Sequence, residues 1–184
     1  VTVEQSPLAA FAHEGGDVRI AEIPFLTQLD LRLDPDGPAF PAVAKALGGE
    51  LPTAPCTASR LGDVDALWLG PDEWLLLAEP GRQRELEVLL RAAIGEEHGA
   101  VVDVSAQRTA LSLAGPAARE VLARGCSIDL DPRFAPAGTC VQTLLARTGV
   151  TIVVQEERFL LLVRASFAQY LAAWLVDSTD GAGR

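Results

Sequence analysis

The amino-acid sequence predicts an α+β fold: two strand-helix-strands-helix units forming one domain with pseudo-twofold symmetry. Three observations predict it. Short apolar runs bounded by Gly, Pro and Asp are interleaved with amphipathic segments of about three turns. The same succession recurs from Ala100 onward. The recurrence also keeps register: adding 78 carries Gly37-Pro38 onto Gly115-Pro116, and the inward positions Phe40, Val43, Ala44 and Leu47 onto Ala118, Val121, Leu122 and Gly125. Adding 85 carries Trp74-Leu75-Leu76-Leu77 onto Phe159-Leu160-Leu161-Leu162, and Leu86, Leu89 and Leu90 onto Leu171, Trp174 and Leu175. A chance match would not hold one offset across a strand and the helix after it. The offset grows by 85 − 78 = 7, which predicts an extra strand in the second half.

Residues 1–22, with Ser6-Pro7 and Gly15-Gly16 and no sustained period, predict an irregular N-terminal arm ending in a short strand over 18–21. Leu8 and Phe11 on that arm need an apolar surface to lie on. A single domain of two repeats, about 23–99 and 100–180, follows. Leu26 to Leu33 alternates apolar residues at 29, 31 and 33 with polar ones, the period of a strand with one wet face. A helix is predicted from Phe40 and stopped by Gly48-Gly49, and a loop over 50–63. A hairpin is predicted around Gly70-Pro71-Asp72-Glu73, followed by the clearest amphipathic helix, Leu86 to Ile94, closed by Gly95. The second half predicts strands over 100–104, 109–113, 140–147, 150–155 and 159–164, a helix from Gly115-Pro116 to Arg124, and a last helix over 167–177. Each half alone would bury little, so the halves are expected to share a core.

Composition narrows the function. The chain has 184 residues with 25 acidic and 15 basic side chains, a net charge of −10, which argues against nucleic acid because phosphate contacts need clustered Lys and Arg. Apolar residues make up 49% and the mean hydropathy is +0.22, high for so acidic a chain, so apolar surface is left over for a partner. Three cysteines, Cys56, Cys126 and Cys140, with no Cys-x-x-Cys, write neither a disulfide framework nor a zinc site and fit a reducing cytoplasm. Neither a signal peptide nor a membrane span is predicted.

Chemistry-bearing residues are few. His13, in the arm, and His98, after a helix, read as solvated loop histidines. His98, Asp103 and Ser105 resemble scattered members of a catalytic triad, but residues two apart on a strand do not converge and no glycine elbow surrounds Ser105. Asp72 and Glu73 beside Trp74 suggest two-carboxylate chemistry, although the turn itself calls for them. Asp103 and Arg108 read either as a ligand-facing strand end or as a pair across a turn. Cys126 and Cys140 read as small core residues. Arg84, Arg91, Arg119 and Arg124 read as solvated helix-face charges. Trp68, Trp74 and Trp174 read as core, with Trp68, so near a turn, equally a contact to another subunit. No glycine-rich phosphate cradle is present. The expected site is therefore empty of catalytic, cofactor-binding and metal residues, and the expected partner contacts are Leu8, Phe11 and Trp68.

Several stretches together resemble one family, the gamma subunit of bacterial heterotetrameric sarcosine oxidase. They are Ser6-Pro7-Leu8, Pro24-Phe25-Leu26-Thr27-Gln28-Leu29, Leu69-Gly70-Pro71-Asp72-Glu73-Trp74-Leu75-Leu76 and Val102-Asp103-Val104-Ser105 with Arg108. The likeness continues through Leu113-Ala114-Gly115-Pro116, Gly125-Cys126-Ser127-Ile128-Asp129-Leu130, Gln142-Thr143-Leu144-Leu145-Ala146, Ser166-Phe167-Ala168 and Tyr170-Leu171. The gamma subunit of methylglutamate dehydrogenase looks similar over the same stretches. The resemblance implies the folate-binding-domain fold of the glycine-cleavage aminomethyltransferase, duplicated, with exchanged first strands. It also implies a complex that oxidatively demethylates sarcosine to glycine, reduces oxygen to hydrogen peroxide and passes the one-carbon unit to tetrahydrofolate. The alpha subunit would carry NAD and the folate site, the beta subunit FAD, with FMN between them and zinc on the delta subunit. The gamma chain would carry no catalytic residue. Three functional readings follow: a structural subunit, a stand-alone folate-binding one-carbon transferase using Asp103, and a self-associating homo-oligomer.

Overall fold

The computed structural model describes residues 4–15 and 17–180. They form eleven strands and four α-helices: β1 (Ala12–Gly15), β2 (Val18–Ile23), β3 (Thr27–Leu33), α1 (Ala39–Leu47), β4 (Ala58–Leu61), β5 (Val64–Gly70), β6 (Glu73–Ala78), α2 (Gln83–Ile94), β7 (Gly99–Asp103), β8 (Arg108–Ala114), α3 (Ala118–Ala123), β9 (Cys140–Leu145), β10 (Thr148–Val154), β11 (Arg158–Arg164) and α4 (Ala168–Asp177). All strand pairs are antiparallel, in two sheets of order β4-β5-β6-β3-β7 and β1-β2-β8-β11-β10-β9. The fold is α+β and the chain divides into two compact units, residues 25–105 and residues 1–24 with 106–184.

The two sheets have the same strand order once β3, β4, β5, β6 and β7 are matched to β8, β9, β10, β11 and β2, with β1 added outside β2. In sequence β2 opens the first repeat and β7 the second, yet β2 pairs with β8 and β7 with β3, so each repeat's first strand lies in the other repeat's sheet. The repeat boundary expected between residues 99 and 100 is crossed for this reason: Gly99–Asp103 belongs with β3, and residues 1–24 belong with β8.

Three expectations are corrected. The arm is not irregular to residue 22, because β1 forms from Ala12 by pairing with β2, Ala12 opposite Ala21 and Gly15 opposite Val18. The loop over 50–63 contains β4, whose four residues, Ala-Ser-Arg-Leu, are too few and too polar to show a period. The second half therefore has no extra strand, since β9 answers β4. Its extra length lies in the connection 124–139, which has 16 residues against 10 in 48–57.

In the 25–105 unit, α1 and α2 cover one sheet face through Val43, Leu47, Leu86 and Leu90, packed on Leu29, Leu31, Trp74 and Leu76. Leu89, expected inward, is more than a third exposed. In the other unit, Val121, Leu122, Leu171 and Leu175 pack on Leu111, Leu113, Phe159 and Leu161. Leu75, Leu77, Leu160 and Leu162, on the opposite sheet faces, are buried too. Strands buried on both faces read as continuous apolar runs, which is why residues 74–77 and 159–162 do not alternate. Two glycines are required by close approach. At Gly115 (φ +115°) an added Cβ would lie 2.3 Å from the Asp17 carbonyl oxygen, and at Gly125 it would lie 2.5 Å from the Trp174 ring.

Candidate functional site

The residues nominated for chemistry are tied into the backbone. The Ser105 hydroxyl donates to Asp103 Oδ1 at 2.6 Å, and the Ser105 amide donates to the same oxygen at 2.9 Å. The Gln28 amide donates to Ser105 Oγ at 2.9 Å, and the Val104 amide to the Gln28 carbonyl at 2.9 Å. This is a side-chain turn that locks the end of β7 to the start of β3. Asp103 is exposed and His98 is exposed. Among the described residues the Ser105 hydroxyl is bonded to Asp103 and to the Gln28 backbone and to no imidazole, so the triad geometry is not assembled.

Asp72 and Glu73 sit where the hairpin turn places them, and both face Arg32. The Arg32 guanidinium lies 2.7 Å from Glu73, 3.7 Å from Asp72 and 3.9 Å from Asp30. Burial, and next the charge of Asp30, push the Glu73 carboxyl above the ordinary glutamate value, with Arg32 opposing. Asp30 was not singled out in the sequence; its signal was a polar position on β3 flanking Arg32 at period two. Three carboxylates around one guanidinium form a cluster with an excess of acid, which Arg32 only partly offsets, and it ties β3 to β6. Among the described residues no group of three His, Cys, Asp or Glu is placed to hold a metal ion.

Several other residues differ from their sequence reading. His13 is not a solvated loop residue: it lies on β1, half-buried, with its Nε2 atom enclosed. Arg119 is not a free surface charge, since it donates to the Leu130 carbonyl and lies 4.9 Å over the Phe159 ring. Arg124 donates to the Ser178 and Asp180 carbonyls, both at 2.9 Å, and Arg91 to the Val101 carbonyl at 2.9 Å. These bonds satisfy carbonyls that loops and strand edges leave open. Cys140 is buried, Cys126 half-buried and Cys56 exposed. Trp74 is buried, donating to the Pro52 carbonyl at 2.8 Å, with Phe40 at 5.5 Å between ring centroids. Trp68 is half-buried on β5, opposite Trp74.

The arm is organised by a residue that sequence reasoning missed. Glu22 is 8% exposed. Its Oε2 accepts from Ser6 Oγ at 2.7 Å and from the Ala10 amide at 3.0 Å, and its Oε1 accepts from Thr109 Oγ1 at 2.8 Å. Ala9 and Ala10 both take left-handed backbone angles, φ 52° and 60°, which presents the Ala10 amide to the carboxylate. Leu8 and Phe11 pack half-buried against the core of their own unit, so much of the apolar surface they were expected to offer a partner is already covered. The signal for Glu22 was its place in the inward register of β2, after Val18 and Ile20.

The surface carries apolar side chains instead. Phe134 is 68% exposed, Val88 62% and Leu144 59%, with Phe167, Tyr170 and Val102 about half exposed. Phe134 stands on the long 124–139 connection, which is held by Arg119 at Leu130 and by Asp129 and Asp131, each accepting the backbone amide two residues on at 2.9 Å.

A family model described as sarcosine oxidase, gamma subunit family, matches residues 32–181. The chain belongs to this family. Relatives in it include sarcosine oxidase subunit gamma from Corynebacterium sp. strain P-1, 40% identical over 89% of this chain and 80% of that protein. Another is the subunit gamma from Corynebacterium sp. strain U-96, 41% identical over 88% of this chain and 78% of that protein. Among solved structures, a chain of the heterotetrameric sarcosine oxidase from Corynebacterium sp. U-96, in complex with pyrrole 2-carboxylate, matches with a TM-score of 0.86 and 37% identity over 97% of this chain and 96% of that one. Aminomethyltransferase T of the glycine cleavage system from Bartonella henselae matches with a TM-score of 0.69 at 16% identity, over 97% of this chain and 58% of that one. That likeness is one of fold, α+β with two antiparallel sheets. Among the described residues no helix is long and apolar enough to cross a membrane.

Proposed function

We propose that this chain is the gamma subunit of a heterotetrameric sarcosine oxidase and serves there as a structural subunit with no catalytic residue of its own. The observation that carries the reading is a division of labour among side chains. Asp103 and Ser105 close a turn and Glu22 holds the arm, while Phe134, Leu144, Phe167 and Tyr170 stand exposed on the 106–184 segment. Exposed aromatic and aliphatic side chains are what a partner surface buries. The uncovered edges of Leu8, Phe11 and Trp68 would add to that contact.

The complex would oxidatively demethylate sarcosine to glycine, reduce oxygen to hydrogen peroxide and pass the one-carbon unit to tetrahydrofolate. FAD, FMN, NAD, folate and zinc would belong to the alpha, beta and delta subunits. The free thiols Cys56, Cys126 and Cys140 support a cytoplasmic setting. The relatives named above are sarcosine oxidase subunits, which favours sarcosine over methylglutamate.

The test is recovery of the complex from the native host through a tag on this chain. Larger companion polypeptides with flavin absorbance are expected, and Phe134→Asp with Leu144→Asp should reduce their recovery while the variant chain still melts cooperatively. A purified chain, free of companions, that turns over an amine or binds folate saturably would refute the reading.

A further inference from the structure

The two repeats differ in charge at one register position of their sheets. The pairs Leu31–Trp74 and Leu113–Phe159 are equivalent, as are Leu29–Leu76 and Leu111–Leu161, so Arg32 is matched by Ala114, Asp30 by Ser112 and Glu73 by Arg158. In the first repeat the central position is Arg32, set among Glu73, Asp72 and Asp30. In the second it is shortened to Ala114, and its two strand neighbours are Arg158 on β11 and Arg19 on β2. Among the described residues neither arginine has a carboxylate within ion-pair distance. Arg158 donates to the Gln155 side chain at 2.6 Å.

The shortened position opens a trough of about 320 Å³, floored by Ala21, Ser112 and Ala114 and flanked by Arg19 and Arg158. That volume is at the small end of the range for ligand pockets, roughly 300–1,000 Å³. With strands about 4.8 Å apart, the two arginine Cα atoms lie roughly 10 Å from each other, so both side chains are long enough to meet a ligand over Ala114, Arg158 by turning from its Gln155 contact. A guanidinium fork matches a carboxylate through two parallel hydrogen bonds. Glu14 and Glu157 also line the trough, on the far side of Arg19 and at the turn before Arg158. Charge therefore alternates outward from the middle: positive over Ala114, negative at the rim.

We propose that this trough binds a small zwitterionic amino acid, its carboxylate between Arg19 and Arg158 and its ammonium toward Glu14 or Glu157. A dianion such as phosphate would meet the two rim carboxylates with no cation of its own to offer them, whereas a zwitterion satisfies both signs. The ligand carboxylate takes the part that Glu73, Asp72 and Asp30 play around Arg32 in the other repeat.

The test is an amide-shift titration of the full ¹⁵N-labelled chain with glycine, acetate and inorganic phosphate as separate probes. Saturable shifts at Arg19, Ser112 and Ala114, tighter for glycine than for acetate or phosphate, are expected. Replacing both arginines by glutamine should weaken glycine at least about tenfold, since the variant loses both charge-assisted contacts to the carboxylate. Ala114→Leu keeps both guanidiniums and fills the trough; with its melting unchanged it should lose the glycine response. No saturable shift, equal shifts from all three probes, or wild-type glycine binding in Ala114→Leu would each overturn the proposal.

Discussion

Removing the Glu22 carboxylate should detach the N-terminal arm and destabilise the chain far more than an ordinary β-strand substitution. Three donors converge on it, at 2.7, 3.0 and 2.8 Å, two of them hydroxyls in buried bonds. A hydrogen bond to a charged acceptor contributes about 1.5–3 kcal/mol, and a buried donor left without its partner loses that and its hydration as well. The three losses are not additive, because the Ala10 amide is only part-buried and water reaches it once the carboxylate is gone. Glu22→Ala is therefore expected to cost about 3–5 kcal/mol, a large share of the roughly 5–15 kcal/mol that stabilises a domain. Glu22→Gln keeps an acceptor at the Ser6 and Ala10 position and can donate to Thr109 Oγ1, so it loses mainly the charge assistance, about 1–2 kcal/mol. Urea unfolding of the full chain measures both, and limited proteolysis reads the arm directly, with cleavage over residues 4–11 accelerating in the order wild type, Gln, Ala. If Glu22→Ala unfolds within about 0.5 kcal/mol of wild type and the arm is cut no faster, the carboxylate does not hold it.

Two further perturbations follow from the same geometry. The Glu73 carboxyl is raised above its ordinary value, so the folded chain holds a proton that the unfolded chain releases, and this group's contribution to stability falls as pH rises from the ordinary glutamate range through the raised value. Glu73→Gln should remove that decline, with thermal melts from pH 4 to 8 showing the variant gaining on wild type across the window; parallel curves would disprove it. Gly125→Ala puts a methyl group 2.5 Å from the Trp174 ring, an overpacking cost of about 1–3 kcal/mol. The equivalent positions of the first repeat are Leu47 and Leu89, so Trp174→Leu should make room and reduce that penalty in a double-mutant cycle by urea unfolding.

Element types were legible wherever burial left a pattern, either a period from packing on one face or a continuous apolar run from packing on both. The alternation of residues 28–33, the helix from Leu86 to Ile94 and the matched runs 74–77 and 159–162 all reappear as strands and helices within two or three residues. Strands that exist only through their neighbours were not legible. β1 and β4, four residues each at sheet edges, carry no β-branched residue and take their conformation from β2 and β5. The sequence offers Asp103 as a ligand-facing strand end or as a pair to Arg108, whereas its carboxylate accepts from the Ser105 hydroxyl and amide two residues on, a local turn that the spacing allows but does not single out. Glu22 was not legible either, because its partners at residues 6, 10 and 109 come together only when the first strand of one repeat enters the sheet of the other.

Divergence between the repeats takes a different form on the two faces of the sheets: the helix side stays apolar, whereas the opposite side changes charge. Several positions that meet the helices keep their volume, Val43 and Val121, Leu29 and Leu111, and Leu76 and Leu161 staying aliphatic in both repeats, and where volume moves it does so in a compensating pair, Leu47 and Leu89 answering Gly125 and Trp174. On the opposite face, toward the strand ends, a side chain contacts mainly its cross-strand neighbours, and there substitution is free to change charge. The first repeat sets Arg32 among three carboxylates, an excess of acid, whereas the second sets two arginines across a shortened alanine. A duplicated fold can thus change the charge of its polar rows without repacking its helix-facing core, because the two are set by different contacts.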